Sequence, residues 1–158
     1  MKKALYIGIF DPINLGHLDI IERASKLIDE LVIGVFVNPT IPSDIAIEKR
    51  IEMVEKSVKH IENVTVARFN GDIDTFIKTY QINLYIRGLR MMTELEQELN
   101  IVHANNHLKY KLDTIFLATN ELYANYSSKE VRLIAKKHGN IEPFLPKSIV
   151  NDVKRIYA

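Results

Sequence analysis

Apolar residues along the chain follow two recurring patterns, short continuous runs and longer stripes at helical spacing. The runs are rich in Ile, Val, Leu, Phe and Tyr, which is typical of strands that are buried on both faces of a parallel sheet. We predict five strands from these runs: Ala4–Phe10, Leu31–Val37, Asn63–Phe69, Asn83–Ile86 and Asp113–Ala118.

Helical stripes separate the runs, and such stripes are usually core faces. We predict five helices: one from Leu18 to Ile28, one from Ile47 to Ile61, one that begins near Thr93 with Leu95, Leu99 and Val102 on one face, and two near Ser127–Lys137 and Lys147–Ile156. The alternation of strands and helices predicts an α/β fold, a Rossmann-like parallel sheet of about five strands with helices on both faces. We expect a single domain over residues 1–158.

Composition limits the chemistry that the chain can perform. Its 158 residues are 47% hydrophobic and 26% charged, and it has no cysteine, which excludes disulfides, thiolate metal sites and a cysteine nucleophile. No segment reaches the length of a membrane span, and the apolar run before Asp11 is too short for a secretory signal. We therefore expect a cytoplasmic protein with no membrane partner. The net charge of +1, without a basic stripe that contains aromatic residues, argues against a nucleic-acid partner.

The segment that joins the first strand to the first helix carries the strongest functional signal. It ends in Ile9-Phe10-Asp11-Pro12-Ile13-Asn14-Leu15-Gly16-His17. Gly16 has no Cβ and lets another backbone or a ligand come close, and the helix start offers unpaired N–H groups and a positive dipole end. His17 is placed to hydrogen-bond a ligand there. The segment indicates a nucleotide-phosphate site at the carboxyl end of a strand; a histidine that only caps or packs is the alternative.

Two further segments are predicted at the same edge of the sheet. Arg87-Gly88-Leu89-Arg90 directly follows the fourth strand, and guanidinium forks match phosphate oxygens. Glu98, on the next helix, is expected to point at a ribose or at an arginine. After the last strand, Ser127 or Ser128 is either the N-cap of a helix or, with Lys129, a phosphate ligand.

Three motifs in this order resemble the bacterial phosphopantetheine adenylyltransferase family of the nucleotidylyltransferase superfamily. They are Gly-x-Phe-Asp-Pro-x-x-x-Gly-His, Ile-Arg-Gly-Leu-Arg and a Ser-Ser pair that opens a late helix, and the resemblance covers essentially the whole chain. It implies an enzyme that transfers AMP from ATP to 4′-phosphopantetheine, giving dephospho-coenzyme A and pyrophosphate. It also implies Mg²⁺ bound with ATP, and a homohexamer.

The resemblance further implies roles for individual residues. His17 would be catalytic, stabilising the transition state at the α-phosphate, and Arg87 would hold the phosphate of the pantetheine substrate. Ile73 would contact the pantetheine arm, beside Ile9 and Ile41 on the acceptor side. The ATP-binding residues would be His17 together with Phe10, Gly88, Leu89, Arg90, Glu98, Tyr123, Ala124, Asn125, Tyr126, Ser127, Ser128 and Lys129. No protein ligand to a metal is implied.

Four positions depart from the residues that the family usually has. Ile9 stands in place of a Thr or Ser, Ile41 in place of a lysine in the loop after the second strand, Asn14 in place of a Thr, and Lys129 in place of the third residue of a Ser-Ser-Ser run. The first two lost contacts would serve the acceptor phosphate. Two alternatives therefore stay open: a related nucleotidylyltransferase with another phosphorylated acceptor or with CTP, and a catalytically weak paralogue that binds nucleotide.

Overall fold

The strands form one parallel sheet whose order fixes where a ligand can bind. The computed structural model describes residues 1–105 and 111–158. The strands are β1 (Lys3–Gly8), β2 (Glu30–Phe36), β3 (Val64–Phe69), β4 (Leu84–Leu89) and β5 (Asp113–Ala118), in the order β3-β2-β1-β4-β5. The chain winds outward in opposite directions from β1 and β4. Open α/β sheets bind ligands at this switch point, and the predicted Rossmann-like fold is confirmed.

Helices flank the sheet at nearly the predicted positions. They are α1 (Leu15–Ser25), α2 (Ile47–Val58), α3 (Ile73–Tyr80), α4 (Leu95–Asn105), α5 (Ser128–Lys136) and α6 (Val150–Ile156). Single 3₁₀ turns, at Met92–Glu94 and Lys147–Ile149, lead into α4 and α6. Of the helices within the described ranges, none combines the length and the apolar composition that crossing a bilayer requires.

The core lies on both faces of the sheet, because alternate strand residues point to opposite sides. On one face, residues of the central strands pack against α1, α2, α5 and α6. On the other face, Leu5, Val32 and Tyr85 pack against Phe76 and Ile77 of α3. The prediction of helices on both faces is therefore confirmed.

Helix α3 is absent from the predicted elements. The Asp72 carboxylate caps it by accepting a hydrogen bond from the Thr75 N–H at 3.1 Å, and its buried residues are Phe76 and Ile77. Asp72 followed by apolar residues at Ile73, Phe76 and Ile77 is an N-cap with helical spacing. With eight residues, the helix is too short for this periodicity to stand out.

Helix α4 differs from the prediction in its packing. The spacing of its apolar residues predicts a core face, yet no residue of α4 is buried, and Leu99 is 38% exposed. The adjacent edge strand β5 also has no buried residue. The apolar stripe of α4 is therefore not covered by the core that the described residues form.

Two strand ends differ from the prediction, and both differences shift residues of the candidate site. Strand β1 stops at Gly8, before Phe10, whose φ of 51° is left-handed and cannot continue a strand. Strand β4 runs on past Ile86, because Gly88 and Leu89 still pair with β5. The arginine-glycine motif is thus mostly part of the strand, and only Arg90 follows it.

Candidate active site

Two adjoining cavities lie at the carboxyl ends of β1 and β4. The first cavity has a volume of about 250 Å³ and the second about 540 Å³. His17, Arg90 and Ser128 line both. Two molecules bound side by side would therefore meet at these three residues. The first cavity is otherwise lined by Tyr6, Asn14, Gly16, Ile20, Gly88, Thr119, Tyr123, Tyr126 and Ser127.

His17 is fixed by a reciprocal pair of hydrogen bonds at the start of α1. The Asn14 N–H donates to Nδ1 of His17 at 3.1 Å, and the His17 N–H donates to the Asn14 side-chain oxygen at 3.1 Å. Since Nδ1 is the acceptor, the proton of the neutral ring sits on Nε2. Burial, and then the positive charge of Arg90, lower the pKa of His17 from 6.5 to about 4. His17 is thus a neutral N–H donor at physiological pH.

An aromatic contact supports the imidazole from behind. The Phe10 ring lies edge-on to His17 with 5.0 Å between centroids, and it is 1% exposed. Gly8 makes room for this ring, because a Cβ there would lie 2.6 Å from Phe10 Cζ. The side chain of Phe10 is therefore a packing element, and any contact of Phe10 with ATP would come from its backbone.

The starts of α1 and α5 converge on the first cavity and are tied together. Ser128 Oγ donates to the Pro12 carbonyl at 2.8 Å and accepts from the Asn14 amide at 3.4 Å. Ser127 is the N-cap of α5, since its Oγ accepts from the Glu130 N–H at 3.2 Å. Of the two roles predicted for the serine pair, helix capping or phosphate binding, Ser127 has the capping role. Two helix N-termini beside one cavity favour an anionic ligand.

Gly16 leaves little room for a side chain at the start of α1. A Cβ at Gly16 would lie 3.1 Å from the Asn14 side-chain oxygen and 3.4 Å from Tyr123 Cβ. The first of these distances is tighter than nearly all real Cβ contacts, so a larger residue would displace the Asn14 side chain that caps α1. Asn14 and Tyr123 of the protein itself therefore come close to Gly16, as predicted for another part of the chain. Gly16 also lines the first cavity.

The two arginines predicted to bind phosphate are both paired with carboxylates. Arg87 Nε and a terminal nitrogen donate to Glu98 at 2.5 and 2.7 Å, and Arg87 also contacts the Tyr85 hydroxyl at 3.2 Å. Burial alone would lower the pKa of Arg87, but the Glu98 hydrogen bonds raise it overall. Arg90 donates to Glu94 at 3.0 Å. The sequence predicts that Glu98 points at a ribose or at an arginine, and the structure shows the contact with an arginine, Arg87.

The other predicted residues fall into three groups by position. Ile9 and Ile41 line the second cavity and are 40% and 62% exposed. Ile73 begins α3 and packs against the core cluster that contains Leu5 and Phe76, away from both cavities. The rest of the predicted ATP-binding residues belong to the same chain segments without lining either cavity: Leu89, Ala124, Asn125 and Lys129.

Sequence reasoning did not single out Arg132 or Thr119 as site residues. Arg132 lines the second cavity and Thr119 the first. Arg132 stands four residues after Ser128 in α5, on the same helix face. The four-residue spacing from Ser128, which is predicted to bind phosphate, is the sequence signal that could have identified Arg132.

Comparison with known proteins gives consistent results for the whole chain. A model of the cytidylyltransferase-like family matches residues 5–134. The phosphopantetheine adenylyltransferase of Clostridium botulinum (strain Alaska E43 / Type E3) is 44% identical over 155 residues, 98% of each chain. That of Synechocystis sp. (strain PCC 6803) is 41% identical over 154 residues, 98% of this chain and 97% of the relative.

A solved structure agrees on the fold. The crystal structure of a candidate nicotinate-nucleotide adenylyltransferase from Vibrio parahaemolyticus matches with a TM-score of 0.69 and 14% identity, covering 99% of this chain and 96% of the other. At that identity the likeness concerns the fold alone. A sheet of this order, with two helix N-termini at its switch point, and the matching family model define a cytidylyltransferase-like nucleotidyltransferase.

Within that class, the relatives decide the family. Both relatives bear one name and cover nearly the full length of this chain at more than 40% identity. The chain therefore belongs to the phosphopantetheine adenylyltransferase family.

Proposed function

We propose that this chain transfers AMP from ATP to 4′-phosphopantetheine, giving dephospho-coenzyme A and pyrophosphate. The observation that carries the proposal is the pair of cavities that share His17, Arg90 and Ser128. A transfer between two phosphorylated substrates needs two binding places that meet at one point. The names of the relatives supply the identity of the acceptor.

The protein needs no nucleophile of its own for this reaction. An oxygen of the acceptor phosphate attacks the α-phosphorus of ATP, a new P–O–P bond forms, and the bond to the β-phosphate oxygen breaks with release of pyrophosphate. The protein contributes positioning and charge stabilisation. His17, as a neutral Nε2–H donor, would donate a hydrogen bond to an oxygen of the α-phosphate and so stabilise the charge of that oxygen in the transition state.

The first cavity is proposed as the nucleotide site. The N–H groups at the starts of α1 and α5 would meet the phosphates, with Ser128 beside them. Arg90 would join by exchanging part of its pairing with Glu94 for phosphate oxygens. The second cavity, which contains the exposed Ile9 and Ile41, is proposed as the acceptor site.

Mg²⁺ is proposed to arrive with ATP. Within residues 1–105 and 111–158, no three His, Asp or Glu side chains are grouped so that they could hold a metal ion. The proposal rests on the family and on general chemistry, since Mg²⁺ usually binds with nucleotides through phosphate oxygens and water. When bound, it would offset phosphate charge.

Self-assembly is also proposed, as the homohexamer typical of the family, in the cytoplasm. The support is the apolar surface of α4 and of the turn before it, which the described residues leave uncovered: Met92 is 83% exposed, Met91 51% and Leu99 38%. Large apolar side chains exposed together are typical of protein interfaces. Sedimentation equilibrium of the purified chain measures the mass; a monomer at micromolar concentration would contradict this part of the proposal.

The catalytic proposal is tested with the purified protein, Mg²⁺, ATP and 4′-phosphopantetheine. Pyrophosphate release is followed continuously, and the nucleotide product is identified by mass. We expect dephospho-coenzyme A, no product with unphosphorylated pantetheine, and a lower rate with CTP. ATP binding without product would point to a different phosphorylated acceptor or to a non-catalytic nucleotide-binding role.

A further inference from the structure

We propose that Arg132 binds the phosphate group of the acceptor in the second cavity. This assignment rests on the proposed function of the site, and it names a residue that determines acceptor recognition. The argument concerns the cations that line the second cavity, namely Arg87, Arg90 and Arg132. They differ in how completely carboxylates already occupy their hydrogen-bond donors.

Arg87 and Arg90 are partly occupied, Arg87 with three of its five N–H donors and Arg90 with two. Two nitrogens of Arg87 donate to Glu98 and a third to the Tyr85 hydroxyl. Arg90 donates from its guanidinium to Glu94 and to the Tyr126 carbonyl. A phosphate that recruited either of them would first have to replace a charge-assisted hydrogen bond.

Arg132 has most of its donors available. Within the parts of the chain that the structure describes, its one hydrogen bond runs from a terminal nitrogen to the Asp11 carbonyl at 2.8 Å. The carboxylates of Asp11 and Asp44 lie 3.6 and 3.7 Å away, beyond hydrogen-bond distance. The side chain is 23% exposed, so the guanidinium is accessible from the cavity.

The neighbouring carboxylates are satisfied by other donors. Asp11 accepts from the backbone N–H groups of Asp44 and Ile45, each at 3.0 Å. Asp44 accepts from Lys136 at 2.7 Å and from the Tyr157 hydroxyl at 3.1 Å. Lys136, followed by other donors, lowers the pKa of Asp44. The two carboxylates therefore orient the Arg132 guanidinium without accepting hydrogen bonds from it. A phosphate can then accept two parallel hydrogen bonds from this guanidinium.

The position of Arg132 fits an acceptor phosphate that reacts near His17. Arg132 lies one helical turn after Ser128, which lines both cavities. Ile9 and Ile41, which also line this cavity, are apolar and supply neither a hydroxyl nor a charge. The acceptor phosphate thus depends on Arg132 for its positive counter-charge until Arg87 or Arg90 exchanges partners.

A binding experiment tests the assignment without requiring turnover. Inorganic phosphate is titrated by calorimetry into the protein saturated with a non-hydrolysable ATP analogue. We expect Arg132→Gln to weaken phosphate binding by about tenfold to one-hundredfold, the usual contribution of charge-assisted hydrogen bonds. Lys137→Gln is the matched control, because it removes one positive charge at the end of the same helix from a residue that lines neither cavity, and it should bind phosphate as the wild type does.

Steady-state kinetics provide the second measurement. Arg132→Gln should raise KM for 4′-phosphopantetheine by about tenfold or more and leave KM for ATP within about twofold. Arg132→Lys, which keeps the charge and loses the fork, should fall between wild type and Arg132→Gln, and it decides the question if the Gln variant fails to fold. A rise in KM for ATP alone, or phosphate binding unchanged in Arg132→Gln, overturns the assignment. Absence of product in the wild type contradicts the proposed function instead, and phosphate binding still decides on Arg132.

Discussion

The two cavities differ in what they are made of. The first is built from helix starts, glycines and reciprocal hydrogen bonds, as in the Asn14–His17 pair and the contact of Ser128 with Pro12. The second begins at the end of β1, from Ile7 to Asp11, and is completed by side chains of β4, of the loop after β2 and of α5, with Ile41 62% exposed. The backbone conformation at the switch point is determined by the fold. Exposed side chains, in contrast, can be substituted without repacking of the protein core. Nucleotide binding is therefore tied to the fold, and acceptor recognition is open to change.

The connections around each cavity explain why this difference matters. In the first cavity, Asn14 contacts both His17 and Ser128, so one substitution disturbs two segments at once. In the second, Ile9 and Ile41 have no hydrogen-bonded side-chain role among the described residues. We expect substitutions around the first cavity to affect catalysis and stability together, and substitutions of the exposed side chains of the second, such as Ile41, to affect acceptor affinity alone.

The largest effect is expected for His17→Ala. The change removes the N–H donor at the junction of the cavities, and loss of one donor to a transition state typically costs about 10²- to 10³-fold in kcat. KM for ATP should change much less. Because the imidazole also closes the capping box, the free energy of unfolding should fall by about 0.5–2 kcal/mol. Pre-steady-state product formation measures the first effect and urea unfolding the second.

A second variant separates the two roles of His17. Asn14→Ala removes the side-chain half of the cap and leaves the imidazole in place. It should lower stability to a similar extent and lower kcat less than His17→Ala does. Equal losses of kcat in the two variants would mean that the cap, and not the N–H donor, is what catalysis requires.

The sequence predicts the first cavity better than the second for the same physical reason. Gly16 and His17 next to a predicted strand end already specify a turn, a helix start and an anion site, all of which are local features. In the second cavity, the sequence predicts an arginine only as one of two possible partners of Glu98, and the contact of Arg132 with Asp44 joins segments that are far apart in the chain, so no local pattern encodes it. The predicted packing of α4 is wrong for a related reason, because an apolar stripe does not show which part of a protein will cover it.

Gly8→Ala is expected to have the next largest effect. The new Cβ would lie 2.6 Å from the Phe10 ring, so the ring must move, and with it the surface against which His17 packs. We expect the free energy of unfolding to fall by about 1–3 kcal/mol, as for other overpacked cores, and kcat to fall as well. Gly139→Ala is a control away from both cavities, where a Cβ would lie 2.8 Å from the Ile134 side chain. Loss of stability in both variants with loss of kcat in Gly8→Ala alone would support the link to His17.

A smaller and opposite effect is expected for Ile41→Lys in the second cavity. A lysine at this exposed position adds a positive charge near the acceptor phosphate, and exposed charge pairs contribute about 0.2–1 kcal/mol. KM for 4′-phosphopantetheine should therefore fall by about two- to fivefold, with KM for ATP and the unfolding free energy unchanged. Ile41→Gln, of similar size and without charge, is the control. A change in KM for ATP would contradict the separation of the two cavities.

The smallest effect is expected from pH, because His17 should stay neutral throughout the physiological range. Its pKa of about 4 in the folded state lies below the ordinary 6.5, so the unfolded chain binds the extra proton first. The contribution of neutral His17 to stability is complete above pH of about 6.5 and is lost as the pH falls toward 4. Long-range ¹H–¹⁵N spectra, with His17 assigned from the spectrum of His17→Ala, should show the Nε2–H tautomer without titration between pH of about 8 and 5.5. A midpoint near 6.5 would contradict the lowered pKa, because a sizeable fraction of the imidazole would then be cationic just below neutral pH, and kcat would change with pH through that range.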